Sequence, residues 1–326
     1  MLEIFRRNRF FNSLLLLPYT ILVRVWLVFD GQPPAFNMKG ILTDWLFSGL
    51  DPNGGLALVL SILIVYLQAL MLNRLMIRNR ITQEMTLFPG LFYILLVSFF
   101  PEYNGLSAPL LANSFVILAL DRLLSTHKST GNVPRIFTAG FWFSVAFLFY
   151  FGYIVLFICG ILGLSMLRTV KARELMQFFI GFLAPMSIVV MLDYLIHSDI
   201  TDFQLHFVEQ IGFFDIDIPF GWPLYLQMAL FGGLVTLVFF NYASFTLKKN
   251  IHVQKKINLM YMWLIILFGI VLIQSGIFYE EWTILSLPLA CFLAMFFARS
   301  RQWLILEIIH FGILLSVLTL QIVTLL

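Results

Sequence analysis

Charge is scarce in this chain. Lys, Arg, Asp and Glu make up 11% of its 326 residues and apolar side chains 61%, whereas a soluble domain carries roughly 25% charge. So little charge excludes a fully wetted surface, and the solvent this sequence expects is lipid. Cysteine is nearly absent: Cys159 and Cys291 each sit inside an apolar run, which leaves no disulfide framework and no thiolate metal site. The five histidines are scattered. No Walker loop, dinucleotide fingerprint, G-x-S-x-G, H-E-x-x-H or C-x-x-C occurs, so the chemistries those spacings serve have no foothold. No basic stripe alternates with exposed aromatics, which argues against nucleic acid as a partner.

What is present is a series of apolar runs. A helix needs about 20 apolar residues to cross a ~30 Å hydrocarbon core. Candidate crossings fall at 10–29, 55–73, 84–100, 106–121, 136–151, 152–167, 175–195, 223–246, 258–277, 283–298 and 302–324. The expected fold is therefore all-α: a polytopic transmembrane helical bundle of about 11 helices, forming a single integral membrane domain over 1–326. The opening MLEIFRRNRF and LLLLPY look like a signal peptide. Arg24 and Trp26 stand where small residues would mark cleavage, so a retained first helix is expected. The run 136–167 has basic residues at both flanks, Arg135 and Arg168, which favours two short helices turning near Phe149–Tyr153.

Charge placement orients the map. With the N-terminus inside and alternating crossings, eighteen of the twenty Lys and Arg residues fall on cytoplasmic segments, and only Arg24 and Lys39 do not. That bias predicts an inside N-terminus, an outside C-terminus and a bacterial inner (cytoplasmic) membrane location. Twelve of the seventeen acids fall outside. The main non-cytoplasmic surface is then built from loops 30–54 and 196–222. Within the second, Phe203, Phe207, Ile211 and Phe214 share helical spacing, the pattern of a helix lying in the membrane interface.

Few residues could carry chemistry. Arg24 lies about five residues from the outer end of the first helix. An intramembrane guanidinium is expensive facing lipid and its fork matches a phosphate; the alternatives are snorkelling to headgroups, or pairing with Asp30 or Asp193. Asp30, Asp44 and Asp51 are first-loop carboxylates able to act as a general base or to hold a divalent metal, or simply to be solvated. His197, Asp199, Asp202, His206 and Glu209 mix imidazole and oxygen ligands, but their spacing also fits the wet face of the interfacial helix. Glu307 and His310 share one face of the last helix and offer either a proton relay or a local polar pair. Gln68, Asn113, Gln227, Gln274 and Gln321 are expected to hydrogen-bond between helices.

The order of features over roughly the first seven helices resembles the membrane module of GT-C glycosyltransferases. The matching pieces are VFDGQPP at the end of the first helix and GILTDWLFSGL, an amphipathic stretch in a large first outer loop. LMLNRLMIRNR follows as a second helix closing on a basic turn, and TAGFWFSVAFLFYFGYIVLF as a glycine-led aromatic hairpin. The whole chain is also similar to an uncharacterised family of multi-pass bacterial inner-membrane proteins. The GT-C resemblance implies transfer from a polyprenyl-phosphate-linked sugar at the outer leaflet, with Asp30 as the catalytic acid of the first loop. Gly31-Gln32-Pro33-Pro34 stands where such enzymes carry a second acidic or tyrosine-containing element. A non-catalytic subunit or scaffold of an envelope assembly, with other envelope membrane proteins as partners, is the competing expectation. A transporter or flippase is the third.

Overall fold

The computed structural model describes residues 2–24, 40–47, 49, 54–82, 84–99, 105–128, 133–197, 222–247, 249–274, 282–299 and 303–323. Among them every regular element is helical. The first are α1 (Leu2–Arg6), α2 (Phe10–Leu14), α3 (Leu16–Val23), α4 (Ile41–Phe47), α5 (Gly55–Arg78), α6 (Phe88–Val97) and α7 (Ala108–Leu124). Then come α8 (Val133–Phe149), α9 (Val155–Leu167) and α10 (Ala172–His197). The last are α11 (Trp222–Phe240), α12 (Tyr242–Thr246), α13 (Ile251–Gln274), α14 (Trp282–Arg299) and α15 (Trp303–Val323). Each apolar run of the sequence holds helix. Four helical segments, Gly55–Arg78, Ala172–Leu195, Trp282–Arg299 and Leu304–Ile322, are long and apolar enough to cross a membrane, and the protein is a membrane protein on that ground.

The centre and the rim follow from which helices are apolar on every side. All ten residues of α6 are buried, as is every residue of α14 from Trp282 to Met295. A helix buried all round can only be central. The two meet directly, with Phe92 and Phe297 rings 4.4 Å apart. At the rim, α10 and α15 turn large apolar side chains outward: Met176 is 67% exposed and Leu304 75%, a surface suited to lipid rather than water.

Glycine sets the closest crossing. Gly140 of α8 faces the Phe178 carbonyl of α10, and Gly181 of α10 faces the Phe137 carbonyl of α8; a Cβ at either would strike backbone. Small residues let two backbones approach where no hydrophobic force drives helices together. Aromatic pairs then lock the crossing, Phe143 with Phe178 and Phe147 with Phe182. The α8–α9 hairpin turns through Tyr150 and a short 3₁₀ turn at Phe151–Ile154. On this turn rests α4: Thr43 Oγ1 donates to the Phe149 carbonyl at 2.8 Å, and a Cβ at Gly40 would strike that same oxygen. The amphipathic stretch of the first loop is thus seated on the aromatic hairpin.

Candidate functional site

A buried polar knot occupies the end of the bundle where α3 and α6 finish and α7 and α14 begin. Arg24 closes α3 at its C-cap. It is fully buried, and its Nε donates to Ser98 Oγ at 3.0 Å. Ser98 is the C-cap of α6. Gln321 of α15 clamps the two helix ends together, with Nε2 donating to the Val23 carbonyl at 3.0 Å and the Ser98 carbonyl at 3.3 Å. Terminal carbonyls have no partner within their own helix, and in lipid that deficit must be met by protein.

The knot continues inward from Arg24. Its guanidinium lies within electrostatic reach of the Tyr93 hydroxyl. That hydroxyl donates to Gln68 Oε1 at 2.8 Å, and Gln68 Nε2 donates to the Leu110 carbonyl at 2.5 Å and Ser114 Oγ at 2.8 Å. Tyr93 also adjoins the Asn113 side chain. Asn113 Oδ1 accepts from the Tyr153 hydroxyl at 2.7 Å, and its Nδ2 donates weakly to the Thr283 carbonyl at 3.4 Å. Tyr153 belongs to the hairpin turn that carries α4, so the chain of polar contacts runs from Arg24 to the seat of α4.

Of the residues singled out in the sequence, Arg24 is therefore buried and hydrogen-bonded. Asp44 lies half-buried on α4, the element that docks on the hairpin. Asp30, Asp51, Asp199, Asp202, His206 and Glu209 lie outside the described residues, and His197 ends α10 with its side chain outside them too. Among the described residues no group of three His, Cys, Asp or Glu side chains is placed to hold a metal ion; of the metal candidates only Asp44 has a described side chain. Gln68, Asn113 and Gln321 make the interhelical bonds expected of them. Gln227 does not: it is fully buried, and neither amide atom finds a partner among the described residues. Nearby on the same face of α11, Phe231 packs edge-on against Trp282. One turn beyond Trp282, the Ser286 hydroxyl is also buried, with no partner among the described residues. His310 is held by Tyr19 across helices, Nε2 to Oη at 3.0 Å, and not by Glu307, which opens instead into a cleft at the other end of the bundle. Tyr93 and Ser98 were not foreseen. Nothing in the apolar run around them separates a knot-forming hydroxyl from a packing one.

The other end is built from ion pairs. Arg6 grips Glu84 with two bonds, 3.0 and 3.1 Å, and hydrogen bonding to the carboxylate holds the guanidinium above its ordinary pKa. These two, with Glu3, Arg7, Met85 and Glu307, line a cleft of about 700 Å³. Arg78 pairs with Asp121 at 2.6 Å, and Arg168 with Glu174 at 2.6 Å.

A family model described as a family of unknown function (DUF6427) matches residues 51–326. No curated protein and no solved structure matches the chain.

Proposed function

The chain belongs to that family of unknown function, and from there we propose that it is a multi-pass protein of the bacterial inner membrane with a GT-C-like arrangement of its first seven or so helices. In this reading it has eleven crossings, an inside N-terminus and an outside C-terminus. It transfers a sugar from a polyprenyl-phosphate donor at the outer leaflet. One observation carries the reading: α4, from the first loop, sits on the α8–α9 aromatic turn through Thr43 and Gly40, so two segments on which the resemblance rests meet at the same end as Arg24. Asp30 takes the proton of the acceptor hydroxyl, with or without a divalent metal. The acceptor oxygen bonds to the anomeric carbon and polyprenyl phosphate departs. Arg24, engaged with Ser98 through Nε, steadies the lipid phosphate with its positive charge.

The expected outcome of Asp30→Asn is an inserted, stable protein whose cells lack a sugar on an envelope glycan. Unchanged glycans at equal protein level would remove the transferase.

The burial of Arg24 favours a second reading, a non-catalytic membrane subunit of an envelope assembly, in which the knot is a strut. That reading requires a partner, so solubilisation that returns the protein alone under conditions preserving other membrane complexes would count against it.

A further inference from the structure

Helix α5 ends in a way that an arginine makes difficult. Arg80 N donates to the Ile77 carbonyl at 3.0 Å and Ile81 N to the Met76 carbonyl at 3.1 Å, the two closing bonds of a Schellman cap. The residue at the left-handed position of such a cap is normally glycine. Here it is Arg80, with φ of 52°, and its side chain is exposed. Backbone strain retained at one residue is a reason to ask what that side chain does there.

Its surroundings answer. Two lysines from the α12–α13 link and the start of α13, about 170 residues later in the chain, are anchored on this same helix end. Lys249 Nζ donates to the Ile81 carbonyl at 3.2 Å, and Lys256 Nζ to Asn79 Oδ1 at 2.8 Å. Arg299 stands close enough to Lys249 to repel it; burial first, and then that charge, lower the lysine's pKa. Arg78 is paired with Asp121, and Arg80, Lys249, Lys256 and Arg299 are four further cations among the described residues at this end of the bundle. Next to these cations the α11–α13 connection exposes large apolar side chains: Phe240 is 90% exposed, Leu247 59% and Ile251 70%. Cations beside outward apolar side chains match the two halves of a phospholipid, head and tail.

We propose that the cap of α5, with Arg80, Lys249, Lys256 and Arg299, is a binding site for the phosphate of an anionic membrane phospholipid, whose chains lie on Phe240, Leu247 and Ile251. In the orientation proposed above this is the cytoplasmic leaflet. The site stands apart from the transferase reading, and a failed Asp30→Asn experiment leaves it untouched.

The test uses the full-length protein in nanodiscs of phosphatidylcholine, doped with phosphatidylglycerol or cardiolipin. Anionic lipid is expected to raise the melting temperature of the unaltered protein. Arg80→Gly relieves the strained cap, so it should melt higher than the unaltered protein in pure phosphatidylcholine, yet lose most of the increment from anionic lipid, with affinity down about fivefold per cation removed. Lys249→Gln should lose that increment without the gain in phosphatidylcholine, and serves if Arg80→Gly folds poorly. An undiminished anionic-lipid increment in both variants would overturn the proposal. An equal rise from inorganic phosphate without anionic lipid would overturn it too, since the occupant would then be a soluble anion.

Discussion

At the Arg24 end of the bundle, Gln68, Ser98, Asn113 and Gln321 are buried and bonded across helices. At the opposite end, Arg6 and Glu84 pair while 35% and 47% exposed. The first end uses neutral groups around one charge, sealed from solvent. The second uses opposite charges in the open. The difference follows from what each can reach: a polar group in a sealed bundle must find protein partners or go without, while an exposed ion pair exchanges one set of water contacts for another at little net gain. Stability is therefore concentrated at the first end.

The contrast can be broken at three points. Gln68→Leu removes three interhelical bonds at once, and with ~0.6–1.7 kcal/mol for each such bond in a membrane bundle it should cost about 2–5 kcal/mol, read as a fall in unfolding free energy that salt does not alter. If the loss shrinks in high salt, the sealed end is wetter than its burial indicates. Gln227→Leu runs the other way. It replaces a buried amide that has no partner among the described residues, and a stability gain of about 1–2 kcal/mol is expected; a loss would mean that another group normally satisfies that amide. Glu84→Gln is the smallest, under about 1 kcal/mol and erased near 1 M salt. A larger or salt-independent cost would show that the Arg6 cleft is as structural as the knot.

Much of the helical framework was legible because a lipid-facing or core helix must be apolar over its length, and runs such as 55–73 and 283–298 are. Their rank as rim or centre was not: α14 is the less apolar of the two, yet 83% of its span is buried against 33% of α5, a difference set by neighbours far away in sequence. Gln68, Asn113 and Gln321 were legible as interhelical polar groups, since lipid leaves them little alternative. Gln227 follows the same logic and defeats it, because its local run cannot reveal that no described residue reaches its amide. Arg24 was recognisable as costly from its depth alone, but its partner Ser98 lies seventy-four residues away. Arg80 carried no signal at all. A left-handed cap announces itself in sequence only when glycine fills it.

Helix α6 has ten residues, about 15 Å at 1.5 Å per residue, half of what a hydrocarbon core requires. It is also enclosed on every face, and the helix that covers much of it, α14, begins at Trp282. During synthesis α6 leaves the ribosome nearly two hundred residues before its cover exists. It is too short to be held as an independent span, so it leans on α5, to which Gly90 and Tyr93 are bonded, and stays incompletely wrapped until α14 arrives. A chain truncated before Trp282 should consequently be a substrate for membrane quality control, however sound its earlier helices are.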